Sequence, residues 1–286
     1  LRHFCEELKP GFALIGEVLF GDYNLIVNDE MLHSCTNYEC YKGIYSSFNS
    51  MNMFEIAHSL NRQYGPEQWC IYRGKHLMTF VDNHDVSRLA TILTNKNHIP
   101  LAYGLLFGMP GIPCIYYGSE WGEEGAKAPD NDYALRPCFE EPKPNELTAF
   151  IKALIALRRE SDALCNGTYH NVVITNHQLV FERRTDSERV LVAINASDSE
   201  YTAGSHELNG TFSQILIYPG EFEALASEEA AIEDAEDKDT CSAADDLPAD
   251  SAADTSESQE AAAADIVTLN GQITMPAYSV QYLKMQ

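Results

Sequence analysis

The sequence predicts an α/β region over residues 1–164, followed by a small antiparallel β-sandwich domain over residues 165–286. Up to about residue 160, short continuous apolar runs alternate with segments of helical apolar spacing, which is typical of strand–helix repeats on a parallel sheet. After residue 165 the apolar residues alternate with polar ones or lie in β-branched runs, as antiparallel strands require. The change of pattern predicts two domains.

In the first region the apolar pattern predicts four strand–helix units. The predicted strands cover residues 12–16, 41–48, 77–81 and 112–117. The predicted helices cover residues 1–9, 51–64, 99–107 and 146–159, and residues 21–36 are predicted to form an irregular loop. A complete (β/α)8 barrel takes about 250 residues, so four units amount to roughly half of one. Because Leu1, Phe4 and Leu8 already have helical spacing, we expect the N-terminal part of the protein, with any targeting signal, to be missing.

The second region combines predicted strands with one acidic interruption. The predicted strands cover residues 177–184, 189–195, 212–218 and 273–285. Turns are predicted at Asp186-Ser187 and Asn209-Gly210. Residues 224–265 are rich in Ala, Asp, Glu and Ser, and residues 226–265 alone carry fourteen acidic residues and one Lys. Such a segment cannot bury enough apolar surface to offset the entropy of ordering, so we expect a disordered acidic loop.

The composition excludes several kinds of partner. A formal net charge of -24 argues against nucleic acid, whose phosphates require a basic surface. No apolar run approaches the length of about 20 residues that spans a bilayer. The eight cysteines are scattered without a CxxC pair, which favours free thiols in a reducing compartment over disulfides or a zinc site. We therefore expect a cytoplasmic protein that binds neither nucleic acid nor membrane.

Polar side chains follow three of the predicted strands. Glu17 follows the first strand, residues 82–85 (DNHD) follow the third, and Glu120 follows the fourth. The C-terminal ends of parallel barrel strands face one mouth, so these side chains should converge there. A Glu and an Asp at one site suit acid/base catalysis combined with charge stabilisation. Each residue also has a structural interpretation, which we favour for Asp82 and Glu120.

Three ordered motifs carry a resemblance to a known family. They are IGEV at residues 15–18, FVDNHD at 80–85, and GMPGIP to IYYGSE at 108–120. Together they resemble the α-amylase family of glycoside hydrolases (family 13), and the APDN loop at 128–131 with Arg136-Pro137 is similar to that family too. The resemblance implies that residues 1–164 form the C-terminal half of the TIM (β/α)8 catalytic barrel, and that residues 165–286 form the C-terminal β domain.

The resemblance also implies an activity and a role for each matched residue. The activity would be retaining hydrolysis of α-1,4-linked glucans, such as starch and maltodextrin, through a covalent glycosyl-enzyme intermediate. Glu17 would be the general acid/base, and Asp85 would stabilise the oxocarbenium-like transition state. His84 would hydrogen-bond the sugar, and Asn83 would complete the substrate-binding set chiefly by holding the loop. No metal-binding residue is predicted.

One catalytic residue of the family has no counterpart here. The family's nucleophile is an Asp on the fourth strand, and no Asp of this chain matches it, so we expect the fragment to be inactive by itself. No cofactor is predicted for the chain, and Ca²⁺ is an option for the complete protein. Two alternatives stay open: an α-glucan transglycosylase or α-glucosidase of the same family, and a non-catalytic barrel homologue that serves in binding. Retention of Glu17 and Asp85 argues against the second.

Overall fold

A computed structural model describes residues 1–220 and 265–286. The predicted acidic loop at 224–265 lies outside the described residues, apart from Asp265. The α-helices are α1 (Arg2–Leu8), α2 (Tyr38–Ser50), α3 (Phe54–Tyr64), α4 (Leu89–Ile92), α5 (His98–Gly108), α6 (Glu146–Glu160) and α7 (Asp162–Asn166). The strands of this region are β1 (Ile15–Gly16), β2 (Ser34–Cys35), β3 (Met78–Phe80) and β4 (Ile112–Cys114).

The four short strands run parallel in the order β1-β2-β3-β4. Register pairs join β1 to β2 and β3 to β4, and a parallel bridge between Thr36 and Met78 connects the two pairs. The amide of Asn37 supports that bridge by donating to the carbonyl oxygen of Met78 at 2.8 Å. Because the strands are parallel, their C-terminal ends lie at one edge. The predicted strands at 12–16, 77–81 and 112–117 are confirmed by β1, β3 and β4.

The predicted strand at 41–48 is wrong, because these residues lie within helix α2. The buried side chains of Tyr41, Ile44 and Phe48 are spaced by three and four positions, which places them on one face of a helix. The side chain of Asn37 caps the helix by accepting from the amide of Cys40 at 3.1 Å. The second parallel strand is instead β2, which lies inside the segment predicted as a loop.

The second region forms one hydrogen-bonded antiparallel sheet of six strands. The strands are β5 (Thr168–Ile174), β6 (Gln178–Arg184), β7 (Arg189–Asn195), β8 (Tyr201–Tyr218), β9 (Asp265–Met275) and β10 (Ser279–Met285). Their order is β5-β6-β7-β10-β8-β9. The predicted turn at Asn209-Gly210 is wrong, since both residues lie inside β8, where the pairing with β9 shifts register. The predicted strand 273–285 is divided between β9 and β10, and β5 was not predicted.

The sheet packs directly against the helices of the first region. One buried cluster contains residues of α2, α3, α5 and α6 together with residues of β6, β7 and β10. Gly104 of α5 lies so close to β10 that a Cβ there would be 2.7 Å from the side chain of Val280. A second buried cluster covers the opposite face of β6, β7 and β10, and it includes Phe212 of β8 and Ile273 of β9. The division at residues 164–165 stays a prediction.

Two further features bear on the sequence predictions. In residues 1–220 and 265–286, no helix is both long and apolar enough to cross a membrane. Seven of the eight cysteines lie in the same ranges, and all seven are free thiols.

Candidate active site

The strand ends bring the predicted site residues to one edge of the parallel strands. Glu17 follows β1, residues 82–85 follow β3, and Glu120 lies in a 3-10 turn after β4. A cavity of about 270 Å³ opens at this edge. Its lining includes Glu17, Asp82, Asn83, His84 and Tyr116. Neither Asp85 nor Glu120 is part of the lining.

Three of the side chains form a compact polar cluster. Glu17, His84 and Asp85 each offer an atom within 4.8 Å of the atoms of the other two. The Nε2 atom of His84 lies 3.5 Å from Oδ2 of Asp85. The side chains of His84 and Asp85 are 46% and 42% exposed, so the cluster is open to a ligand from solvent. Two carboxylates and an imidazole can together hold a proton, a positive charge and sugar hydroxyls.

Tyr38 connects Glu17 to Asn83. Its hydroxyl donates to Oε1 of Glu17 at 3.1 Å and accepts from Nδ2 of Asn83 at 2.9 Å. Burial is the main cause that raises the pKa of Tyr38, which keeps its proton available for the bond to Glu17. Asn83 in turn accepts from the amide of Asp85 at 2.8 Å and so closes the turn after β3. The sequence analysis missed Tyr38, because it precedes residues 41–48, which were predicted as a strand, and no helix was predicted to begin there.

Arg136 holds Asp85 from the loop that follows β4. Its Nη2 atom donates to Oδ1 of Asp85 at 3.0 Å, and its Nε donates to the carbonyl oxygen of His84 at 3.3 Å. Asp132 accepts from the same guanidinium at 3.3 Å and from Lys127 at 2.8 Å. The bond from Lys127 is the main cause that lowers the pKa of Asp132. In the sequence, Arg136-Pro137 is similar to the α-amylase family, but that similarity predicted no contact between Arg136 and Asp85.

Asp82 forms part of the floor of the cavity and is 2% exposed. Its Oδ2 atom accepts from the amide of Leu89 and from the hydroxyl of Ser119, each at 2.8 Å. Oδ1 is buried and makes no hydrogen bond to the described part of the chain. Burial is the main cause that raises the pKa of Asp82, and the carboxylate of Glu120 raises it further. Asp82 thus ties the start of α4 to the turn after β4.

Arg88 is fully buried behind this floor. Its guanidinium donates to the carbonyl oxygens of Tyr117 at 2.8 Å and Leu135 at 3.0 Å, and it lies 4.6 Å from the ring centre of Tyr116. Gly118 adopts a φ of 87°, and a Cβ at this position would be 2.9 Å from the ring of Phe139. These contacts fix the turn after β4, which carries Tyr116 into the cavity wall.

The cluster of Glu17, His84 and Asp85 does not fit calcium. Ca²⁺ takes six to eight oxygen ligands, whereas this group offers two carboxylates and one imidazole nitrogen. Arg136 places a positive charge on Asp85, where a cation would have to bind. The arrangement is therefore better suited to binding and protonating an organic ligand than to holding this metal.

Parts of this chain are similar to known proteins. Residues 2–143 match the family model described as the alpha-amylase catalytic domain. The cyclomaltodextrin glucanotransferase of Bacillus sp. (strain 1011) is 34% identical over 120 residues, which cover 41% of this chain and 16% of that protein. The intracellular maltogenic amylase of Bacillus subtilis is 29% identical over 196 residues, which cover 64% of this chain and 32% of that protein.

Solved structures show the same fold. The α-amylase from Geobacillus thermoleovorans, complexed with acarbose, has a TM-score of 0.70 and 18% identity, and the match covers 98% of this chain and 55% of that one. The chain spans about half of the length of this structure and a third or less of the curated relatives. The resemblance found in the sequence motifs is confirmed, and the chain belongs to the alpha-amylase family of glycoside hydrolases.

Proposed function

We propose that the complete protein is a retaining glycoside hydrolase that acts on α-1,4-linked glucans such as starch and maltodextrin. The observation that carries the proposal is the cluster of Glu17, His84 and Asp85, whose polar atoms lie within 4.8 Å at the C-terminal edge of the parallel strands. We also propose that residues 1–164 form the second half of a (β/α)8 barrel, and that residues 165–286 form a C-terminal β-sandwich domain.

Glu17 serves as the general acid/base in this proposal. Its Oε1 atom accepts the hydrogen bond from Tyr38, so a proton carried by Glu17 belongs on Oε2. From there the proton passes to the glycosidic oxygen of the leaving sugar, and the resulting carboxylate later takes a proton from the attacking water. Tyr38 stabilises the carboxylate and fixes which oxygen transfers the proton.

Asp85 stabilises the positive charge that develops on the sugar ring. Arg136 occupies its Oδ1 atom, while Oδ2 faces His84. A carboxylate at this position attracts an oxocarbenium-like centre. His84 donates to a sugar hydroxyl, and Asn83 keeps the turn after β3 in place through its bond to the Asp85 amide.

The chain by itself is proposed to be inactive. A retaining mechanism needs a nucleophilic carboxylate besides the acid/base, and Asp85 is already engaged by Arg136. Asp82 lines the same cavity, but its Oδ2 is committed to Leu89 and Ser119. The nucleophile of the complete protein is therefore proposed to come from outside residues 1–286.

A glucanotransferase is the second candidate. The relative named cyclomaltodextrin glucanotransferase is 34% identical over its match, whereas the relative named intracellular maltogenic amylase is 29% identical over a longer one. Both activities use the same acid/base and differ in whether water or a sugar accepts the glycosyl group. The word intracellular in the second name and the free thiols support a cytoplasmic location. A Ca²⁺ requirement of the complete protein is likewise a proposal.

Turnover of maltoheptaose by a chain extended with the residues encoded upstream tests these proposals. We expect Glu17→Gln to lower kcat by about 10²–10⁴-fold with substrate binding retained, because general acid catalysis contributes about that much. Glu200→Gln, at an exposed position in the turn before β8, is the matched control and should keep full turnover. Short linear products support the hydrolase, and cyclic or longer products support the transferase. Normal turnover by Glu17→Gln, or by the 286-residue chain alone, would contradict the assignment.

A further inference from the structure

A second cavity lies at the opposite end of the parallel strands. Its volume is about 470 Å³. His76 in its lining precedes β3, and Pro110 and Gly111 precede β4. A strand rises about 3.3 Å per residue, so the six positions from His76 to Asp82 separate this cavity from the polar cluster by roughly 20 Å. The cavity is therefore distinct from the candidate active site.

The lining of this cavity is basic in a strongly acidic chain. Arg73, Lys75 and Arg183 contribute positive charges, and none of the lining residues is an Asp or Glu. His170 also borders the cavity, and its Nε2 atom lies 2.9 Å from the carboxylate of Glu207, which is not part of the lining. With a net charge of -24 over the whole chain, a cation-lined cavity indicates a site for an anion.

Arg183 is the deepest of these cations and is 1% exposed. It donates to three main-chain carbonyl oxygens, of Thr168 at 3.2 Å, Gly108 at 2.8 Å and Gly167 at 2.9 Å. Each guanidinium nitrogen uses one bond, so Nη1 and Nη2 each keep a further N–H. No carboxylate of the described chain forms an ion pair with it.

A second buried arginine adds to the positive potential. Arg158, 6% exposed, donates to the carbonyl oxygens of Phe107, Met109 and Gly111, the last of which lines the cavity. Burial, followed by the charge of Arg158, lowers the pKa of Arg183 to about 9. Two buried cations that have no carboxylate partner in the described chain are costly, and an anion in the adjoining cavity would offset that cost.

We propose that this cavity binds a small organic phosphate. Several cations and free guanidinium N–H groups favour a multiply charged anion over a single carboxylate. The volume exceeds that of a phosphate ion and lies in the range of small-molecule sites, which leaves room for an organic group. Pro66, Pro110 and Tyr169 in the lining offer apolar surface for that group. The inference does not rest on the glycosidase proposal, because it uses different residues.

Titration calorimetry with glucose 6-phosphate, inorganic phosphate and glucose tests the inference at constant ionic strength. We expect glucose 6-phosphate to bind tighter than inorganic phosphate, and glucose to leave its binding unchanged. Arg73→Gln at the exposed rim should weaken binding of glucose 6-phosphate by about tenfold, the loss of one charge-assisted hydrogen bond. Lys152→Gln, an exposed site on α6 with the same change of charge, is the matched control.

Three outcomes would overturn the inference. One is the absence of heat and of any thermal stabilisation with glucose 6-phosphate. Another is equal weakening by Arg73→Gln and Lys152→Gln, which would mean attraction to overall charge. The third is equal affinity for inorganic phosphate and glucose 6-phosphate, which would exclude recognition of the organic group. Circular dichroism of each variant without ligand confirms that the folded state is compared.

Discussion

Removal of the Tyr38 hydroxyl is the most direct test of how the site is held together. In Tyr38→Phe the ring keeps its edge contact with Phe80, whose ring centre is 5.0 Å away. The substitution removes only the bonds to Glu17 at 3.1 Å and Asn83 at 2.9 Å. Each such bond contributes about 1 kcal/mol net, so we expect a loss of about 2 kcal/mol at most. For a chain of this size that corresponds to a fall in Tm of about 4–8 °C.

A double-mutant cycle separates the hydrogen-bonded bridge that Tyr38 forms between Glu17 and Asn83 from general destabilisation of the fold. Tyr38→Phe and Asn83→Ala, measured singly and together by urea unfolding, should show a coupling free energy of about 1 kcal/mol. In the extended chain, Tyr38→Phe should lower kcat by about tenfold, because Glu17 loses the group that orients it. Tyr133→Phe is the control, since Tyr133 is 84% exposed. A coupling below about 0.3 kcal/mol would refute the bridge.

Three further substitutions test individual contacts. Arg136→Gln should change the free energy of unfolding by less than about 0.5 kcal/mol, because the ion pair of Arg136 with Asp85 is exposed. The same substitution should lower kcat in the extended chain, and a large fall in Tm with unchanged kcat would contradict this expectation. Burial raises the pKa of Asp82 in the folded state, so its ionisation costs stability as pH rises above about 4. Asp82→Asn should therefore gain stability relative to the native chain as pH rises above about 4, and a difference in urea unfolding that does not change with pH would count against it. Gly104→Ala should destabilise the folded chain by about 1 kcal/mol, because the collision of the new Cβ with Val280 outweighs the gain in helix propensity. Adding Val280→Ala should recover this loss in thermal unfolding, and a double variant that shows the sum of the two single losses would exclude the collision.

The sequence predicted best where local pattern and packing agree. The apolar spacing of residues 99–107 and 146–159 predicted α5 and α6 within a few residues. The apolar pattern gave the wrong element at residues 41–48, because Gly43 and two serines weakened the helical spacing and the aromatic residues suggested a strand. A helix is stabilised at these residues by the cap at Asn37 and by the burial of Ile44 in the core.

The position of the candidate site residues in the fold was predictable only for those that lie in motifs. Glu17, Asn83, His84 and Asp85 lie in motifs or directly after apolar strands, and this placement is readable from the sequence because strand ends define the site edge of a parallel barrel. Tyr38 and Arg136 approach the same cluster from a helix and a loop, at positions 21 and 51 residues from their partners. No local pattern encodes such distant contacts.

The sequence by itself determined the family, the order of parallel strands before antiparallel ones, and the residues that end β1 and β3. Those features depend on short-range periodicity and on motifs that the chain carries in a few consecutive residues. Only the tertiary structure decided that Tyr38 joins Glu17 to Asn83, that Arg136 holds Asp85, and that basic side chains gather at the opposite end of the strands. These arrangements arise when distant segments pack together, and the geometry of that packing is set by the whole core.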